Sequence, residues 1–240
     1  MFLRLAVVTF SILPIRCLRQ SFAGMVEILD TPDKSPADRK EYRAIKLKNG
    51  LVALLISDLY GAEDGDDNAM SDGDNAMSDG DDGEEGDSGE EEEGEDEPEK
   101  IKKISAAAMA VKAGSFHEPS DCGGLAHFCE HMIFMGSKKY PEENMFDSLV
   151  SRNSGSDNAY TDADVTVYEF DVAPEKFNEA LDIWAQFFID PLMKEDAVDR
   201  EVTAVNSEFE MSKVSDYARR FQIMQEALMK KDHPQVLYLF

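Results

Sequence analysis

Apolar and polar residues alternate in some stretches of this chain and recur at helical spacing in others. Residues 41–47, Glu-Tyr-Arg-Ala-Ile-Lys-Leu, alternate and predict a strand. Asn49-Gly50 follows as a hairpin turn, and residues 51–56 return as a buried strand. The pair predicts the opening hairpin of an α+β domain. Residues 104–113 are small and apolar around Ala106-Ala107-Ala108-Met109-Ala110-Val111, a composition that also suits a helix, and Gly114 bounds them tightly. Residues 114–119 read as a loop. Gly123-Gly124 can start a helix in which Leu125, Phe128, Met132 and Ile133 make an apolar stripe, and Met135-Gly136-Ser137 ends that segment. Residues 141–152 predict a second helix with Met145, Phe146, Leu149 and Val150 inward. Residues 154–164 are polar and contain glycine, so they read as a loop or an edge. Residues 165–172 alternate and predict a strand. Residues 174–190 predict a long helix, with Phe177, Ala180, Leu181, Trp184, Ala185 and Phe188 at helical spacing. Residues 194–211 predict another. Residues 216–231 predict a last, amphipathic helix carrying Phe221, Met224 and Leu228.

One of these helices carries chemistry. Residues 124–132 read Gly-Leu-Ala-His-Phe-Cys-Glu-His-Met and contain His-x-x-Glu-His. Positions four apart share a helix face, so His127 and His131 can offer two imidazoles to one metal ion. Glu130 lies on an adjoining part of that face and can reach a metal-bound water without being a ligand. Two neutral histidines with a nearby carboxylate form the core of a hydrolytic zinc site. The order of residues is the inverted form of the commoner zinc-protease motif. A solvated histidine pair is the ordinary alternative, but the chain has only 4 histidines and two of them fall here. Glu201 and Glu208 lie seven residues apart on the helix predicted over 194–211, close to two turns, and so face the same way. One could ligate the metal and the other could orient a histidine from behind. Periodicity alone does not say which, and exposed glutamates on a helix are ordinary. His117, which precedes the motif helix, is a weaker third-ligand candidate.

Residues 124–141 carry a resemblance. Gly-Leu-Ala-His-Phe-Cys-Glu-His-Met-Ile-Phe-Met-Gly-Ser-Lys-Lys-Tyr-Pro is similar to the insulysin and nardilysin branch of the pitrilysin-type metallopeptidases. Gly155-Ser156-Asp157-Asn158-Ala159-Tyr160-Thr161, Trp184-Ala185-Gln186-Phe187-Phe188, and Asp199-Arg200-Glu201 through Ser207-Glu208 extend it. The similarity runs from about Lys34 to about His233, broken by one acidic insertion that points to the nardilysin side of the branch. The resemblance implies an α+β fold: part of a pitrilysin-type domain, an antiparallel-rich sheet with helices packed on one side. Residues 104–113 then become a central strand. It also implies Zn2+ held by His127, His131 and Glu208, with Glu130 as general base and Glu201 as the catalytic helper behind a histidine. Asn158, Ala159 and Thr161 would lie on an edge strand that pairs with a peptide backbone, a mode that gives affinity without demanding sequence. Phe134 would be a further substrate contact. The implied reaction is hydrolysis of peptides beside basic residues, at paired basic sites.

Charge changes the picture of the whole chain. The formal net charge is -26, yet about twenty of the 50 acidic residues lie between Glu63 and Glu99. This stretch includes a tandem heptapeptide, Asp67-Asn68-Ala69-Met70-Ser71-Asp72-Gly73 and its repeat over residues 74–80. A segment of this composition repels itself and is expected to be disordered. It is either a solvated linker or an arm that attracts basic peptides, basic proteins or polyamines. No basic patch offers itself to phosphates, which disfavours a nucleic-acid partner. No stretch is apolar enough for a membrane span.

The start of the chain is basic and free of acids, with Arg4, Arg16 and Arg19 around an apolar run. Ser21-Phe22-Ala23 resembles a secretory cleavage site, but the arginines after the apolar core argue for a mitochondrial leader instead. Met25 as an internal start would give a cytoplasmic protein, the location that the resemblance implies. Cys17, Cys122 and Cys129 form no even disulfide framework, which suits a reducing compartment. Cys129 is read as a packing residue. These readings divide the chain into a basic leader or disordered tail over 1–33, the opening hairpin over 34–61, the acidic low-complexity insertion over 62–100 and a truncated catalytic domain over 101–240. After His233-Pro234 the chain departs from the family pattern, so it reads as a fragment or early-ended form. A zinc metalloendopeptidase is the first reading. An inactive peptidase-scaffold binding protein, a processing-peptidase-like subunit that works only in a pair, and an acidic interaction protein with a vestigial zinc site are the alternatives.

Overall fold

The computed structural model describes residues 3–10, 26–31, 33–58 and 103–228. Residues 60–102 separate from the rest as a unit of their own and lie outside the described residues, and the acidic insertion expected over 62–100 falls there. The described strands are β1 (Leu3–Phe10), β2 (Val26–Leu29), β3 (Glu41–Leu47), β4 (Val52–Ser57), β5 (Ser105–Val111), β6 (Ser156–Thr161) and β7 (Thr166–Val172). They form one sheet in the order β2-β3-β4-β1-β5-β7-β6. Only β1 and β4 pair in parallel; every other neighbour is antiparallel. The helices are α1 (Leu125–Ile133), α2 (Met145–Arg152), α3 (Phe177–Ile189), α4 (Val198–Ser212) and α5 (Asp216–Leu228).

Period-two patterning places the core. On β4, β5 and β7 every second residue is buried: Ala53, Leu55 and Ser57, then Ser105, Ala107, Met109 and Val111, then Thr166, Tyr168, Phe170 and Val172. Alternation in an antiparallel sheet marks one packed face. Phe146 and Val150 of α2 cover it together with Phe177, Ala180, Ile183, Trp184 and Phe187 of α3. Phe170 meets Phe146 at 5.3 Å and Trp184 at 5.3 Å between ring centroids. Edge-on and tilted ring pairs at this spacing add to simple burial. The helix expected over 174–190 is present, but its seam is turned slightly: Ile183 and Phe187 are fully buried while Ala185 and Phe188 are only partly so.

β5 shows tertiary context overriding propensity. Alanine is a poor strand former, yet Ala106, Ala107, Ala108 and Ala110 sit between β1 and β7 in the middle of the sheet. The polar stretch over 154–164 resolves into β6, the sheet's outer edge on the β7 side.

The first 33 residues, expected as a leader or disordered tail, contain two of the strands. Leu3–Phe10 lies between β4 and β5, and Val26–Leu29 pairs with β3; residues 11–25 lie outside the described residues. A short apolar run suits a targeting core and an inner strand equally, and Val7-Val8-Thr9 supplies the β-branched residues of the latter. Residues 229–240, which include the stretch after His233-Pro234 expected to depart from the family pattern, also lie outside the described residues. Among the described residues no helix is long and apolar enough to cross a membrane.

Candidate metal centre

α1 begins with a device the sequence hides. Its N-cap is Gly124 at φ 85°, a left-handed conformation that suits glycine, and glycine has no side chain with which to cap. The Glu118 carboxylate does so from six residues upstream. It accepts the Gly124 N–H at 2.9 Å and the Ala126 N–H at 2.7 Å, and its charge complements the positive end of the helix. The loop before it is pinned to the β6–β7 turn, where Ser115 N–H donates to Asp162 O at 3.0 Å and Phe116 N–H to Ala163 O at 2.8 Å. A Cβ on Gly114 would stand 2.1 Å from Asp162 O, so only glycine allows this approach.

α1 and α4 then face each other. His127 and His131 point their Nε2 atoms at a common space, 3.3 Å apart. Glu208 enters it from α4, with Oε2 3.3 Å from His127 Nε2 and Oε1 3.6 Å from His131 Nε2. These three side chains are the only group among the described residues arranged to hold a metal ion. Their separations are close to the roughly 3.3–3.4 Å between ligand atoms of a tetrahedral ion with bonds of about 2.0–2.1 Å. Two imidazole nitrogens and a carboxylate oxygen are also the donor types such an ion takes. The residues therefore fit a metal.

The groups behind the donors are set as well. His131 Nδ1 lies 3.3 Å from Glu201 Oε2. A proton on Nδ1 donated there leaves the Nε2 lone pair directed at the site. Glu201 is buried, and its other oxygen accepts Arg200 Nε at 3.2 Å. Hydrogen bonding to Glu201, with Glu143 near, holds the Arg200 guanidinium even further into its charged form. Glu130 is buried at 6 % exposure and accepts a short hydrogen bond from the Thr161 hydroxyl of β6. Thr166 beside it donates to Ala113 O at 2.9 Å. Tyr168 lies beneath, where burial, with Cys129 and Glu130 nearby, raises its phenol and keeps it protonated.

The three donors border one open cleft of about 740 Å³. His127, Glu130, His131, Glu201 and Glu208 line it, as do Asn158, Ala159, Thr161 and Phe134, so these nine residues named from the resemblance border one space. Phe221 of α5 lines it too. Phe134 also packs against Tyr168 and Phe187 at 5.9 and 5.7 Å, which roots it in the core. His117 is not part of the cluster; its Nδ1 accepts the Gly114 N–H at 3.3 Å. Cys129, read as packing, is exposed instead. Sequence reasoning missed Glu143 and Glu118, whose signal is only that of ordinary surface charges, and gave no role to Arg200 of the Asp199-Arg200-Glu201 match.

The family model for Insulinase (Peptidase family M16) matches residues 97–235. The chain belongs to this family. Nardilysin of Homo sapiens is 45% identical over 249 aligned residues, covering 89% of this chain and 21% of its own length. Insulin-degrading enzyme of Homo sapiens is 39% identical over 201 residues, 84% of this chain and 16% of its own. The crystal structure of pitrilysin superposes with a TM-score of 0.67 at 28% identity, covering 88% of this chain and 18% of that one. The chain thus spans about a fifth of the length of the curated relatives it matches. Its mixed sheet and helices are part of a pitrilysin-type domain, as the resemblance implied.

Proposed function

We propose that the chain carries the metal-binding half-site of a zinc metalloendopeptidase that hydrolyses peptides at paired basic residues. The observation that carries this reading is the convergence of His127, His131 and Glu208 on one point beside the buried Glu130. A Zn2+ ion held by those three would polarise the scissile carbonyl and lower the pKa of water toward neutrality. Glu130 takes a proton from water at the site and returns it to the leaving amine, with Thr161 fixing the carboxylate's direction. Glu201 keeps the His131 ring in the tautomer that leaves Nε2 free to ligate. β6 offers its outer edge at Asn158 and Ala159 for the backbone of an extended peptide. The preference for basic residues rests on the nardilysin likeness, and the acidic stretch between Glu63 and Glu99 would draw basic peptides or polyamines by charge. A reducing compartment suits the cysteines, of which Cys122 and Cys129 stand unpaired.

One observation favours a second reading. That reading is a peptidase-scaffold chain that binds metal and peptide without turnover, resting on the same cleft, which holds the donors and the β6 edge. Metal analysis and a peptide assay separate the two. The parent chain is expected to bind about one zinc per molecule; His131→Ala abolishes this and Glu208→Gln weakens it. Glu130→Gln keeps the zinc and removes any cleavage of a peptide with a paired basic site. Unchanged zinc in both ligand variants would defeat the assignment. Zinc bound at full stoichiometry without cleavage by the parent would favour the binding scaffold.

A further inference from the structure

Arg200 stands one residue before Glu201, on the first turn of α4, and touches none of the three metal donors. Its guanidinium joins three segments of the chain. Nε donates to Glu201 Oε1 at 3.2 Å, Nη2 donates to Glu143 Oε2 at 2.8 Å, and Nη2 also lies 3.4 Å from Met135 Sδ just past α1. Glu143 is itself held, since its Oε1 takes Lys194 Nζ at 3.3 Å, and Lys194 also donates to Pro141 O at 2.7 Å. The far oxygen of Glu201 meets His131 Nδ1 at 3.3 Å. A continuous line therefore runs from Lys194 through Glu143, Arg200 and Glu201 to His131.

The geometry points to Arg200, anchored by Glu143, as a positioning residue of the metal centre. This rests on the metal-centre reading above. Glu201 can hold the His131 ring only if its own carboxylate is kept from turning, and Arg200 supplies the second point of attachment. The same guanidinium fastens the start of α4 to the end of α1, and so sets how far Glu208 reaches toward the histidines. A planar fork can serve two carboxylates at once; an ammonium is a point charge. The Arg200 side chain is 54% exposed, and ion pairs at that exposure contribute little to stability. Its effect should therefore appear in the geometry of the donors more than in the persistence of the fold.

The test uses the full 240-residue chain with Zn2+ and Co2+ as probes, competed against a chelating dye, and the thermal midpoint of the metal-free form measured alongside. Arg200→Met is expected to weaken Zn2+ binding about tenfold while the metal-free midpoint stays that of the parent. Arg200→Lys should recover part of the loss. Glu143→Gln should shift affinity the same way by less, and the visible bands of the Co2+ form should move in both variants. Parent affinity in Arg200→Met and Glu143→Gln would overturn the proposal, as would a lower midpoint with unchanged affinity and bands. If Arg200→Met fails to fold, Arg200→Lys and Glu143→Gln decide by the same criteria. His131→Ala separates the two levels of the argument. If it binds metal like the parent, the metal-centre reading falls and takes this proposal with it. If it loses metal while the Arg200 and Glu143 variants keep parent affinity, Arg200 alone is dismissed.

Discussion

At the scale of single residues, the site is a problem of placing carboxylates. Glu130 and Glu201 are both buried, and a buried carboxylate is costly unless its oxygens are hydrogen-bonded. Thr161 answers for one and the His131–Arg200 pair for the other. Glu208 is more exposed, with 47% of its side chain open, as suits a donor that faces the cleft. Asp157 on β6 is less well served. Burial, and then the nearby charge of Asp147, raise its carboxyl above the ordinary value. A raised folded pKa means that the native state holds the proton more tightly than the unfolded chain does. The stability tied to this group is therefore greatest below the ordinary carboxylate range and declines as pH rises through the folded pKa. Ionised Asp157 is a liability at neutral pH. Asp157→Asn should raise the thermal midpoint at pH 7, and the gain should vanish below about pH 4, where aspartate is protonated in both states. A lower midpoint at neutral pH would contradict this account.

At the scale of elements, α1 and α4 decide whether the donors meet. The spacing that brings them together was readable: four residues from His127 to His131, seven from Glu201 to Glu208. Which glutamate faces the histidines was not readable from spacing, because both lie on one face of α4; only the resemblance pointed to Glu208. The start of α1 was not readable either. Gly124 breaks the usual cap pattern, and the residue that replaces the cap, Glu118, lies six positions away across a turn. β5 was ambiguous by pattern alone for a different reason: its alanines carry no period-two contrast, so the strand was readable only through the resemblance, and pairing to β1 and β7 holds it. The capping assignment has a direct consequence. Glu118→Ala leaves the Gly124 and Ala126 N–H groups without their carboxylate and should cost about 1–2 kcal/mol. The midpoint in urea should fall with its slope unchanged. Glu118→Gln keeps one acceptor oxygen and should fall between. Equal stability of parent and Glu118→Ala would show that the helix start is held by other means.

At the scale of the whole molecule, the question is whether the acidic segment and the candidate metal centre act independently. Fold class and family were legible because the motif helix, the glutamate helix and the core aromatics each carry their own pattern. The place of Leu3–Phe10 in the sheet was not, since an apolar run of that length fits several roles. The acidic segment enters the described fold at two neighbouring points. Lys103 Nζ donates to Asp58 O at 3.3 Å, so the chain leaves and returns at the same place. Bringing such ends together with a shorter connection costs little, because loop-closure entropy changes only slowly with length. Deleting residues 63–99 should therefore leave zinc content and thermal midpoint near those of the parent. Its electrostatic effect should be lost. Attraction between exposed charges is screened within about 8–10 Å at physiological salt, so a polybasic peptide should bind the parent weakly, with strong salt dependence and in competition with spermine. Calorimetry at low and high salt, on the parent and on the deletion variant, measures this. The deletion should remove most of the salt-sensitive affinity; equal binding by both chains at low salt would make the acidic segment a passive connection.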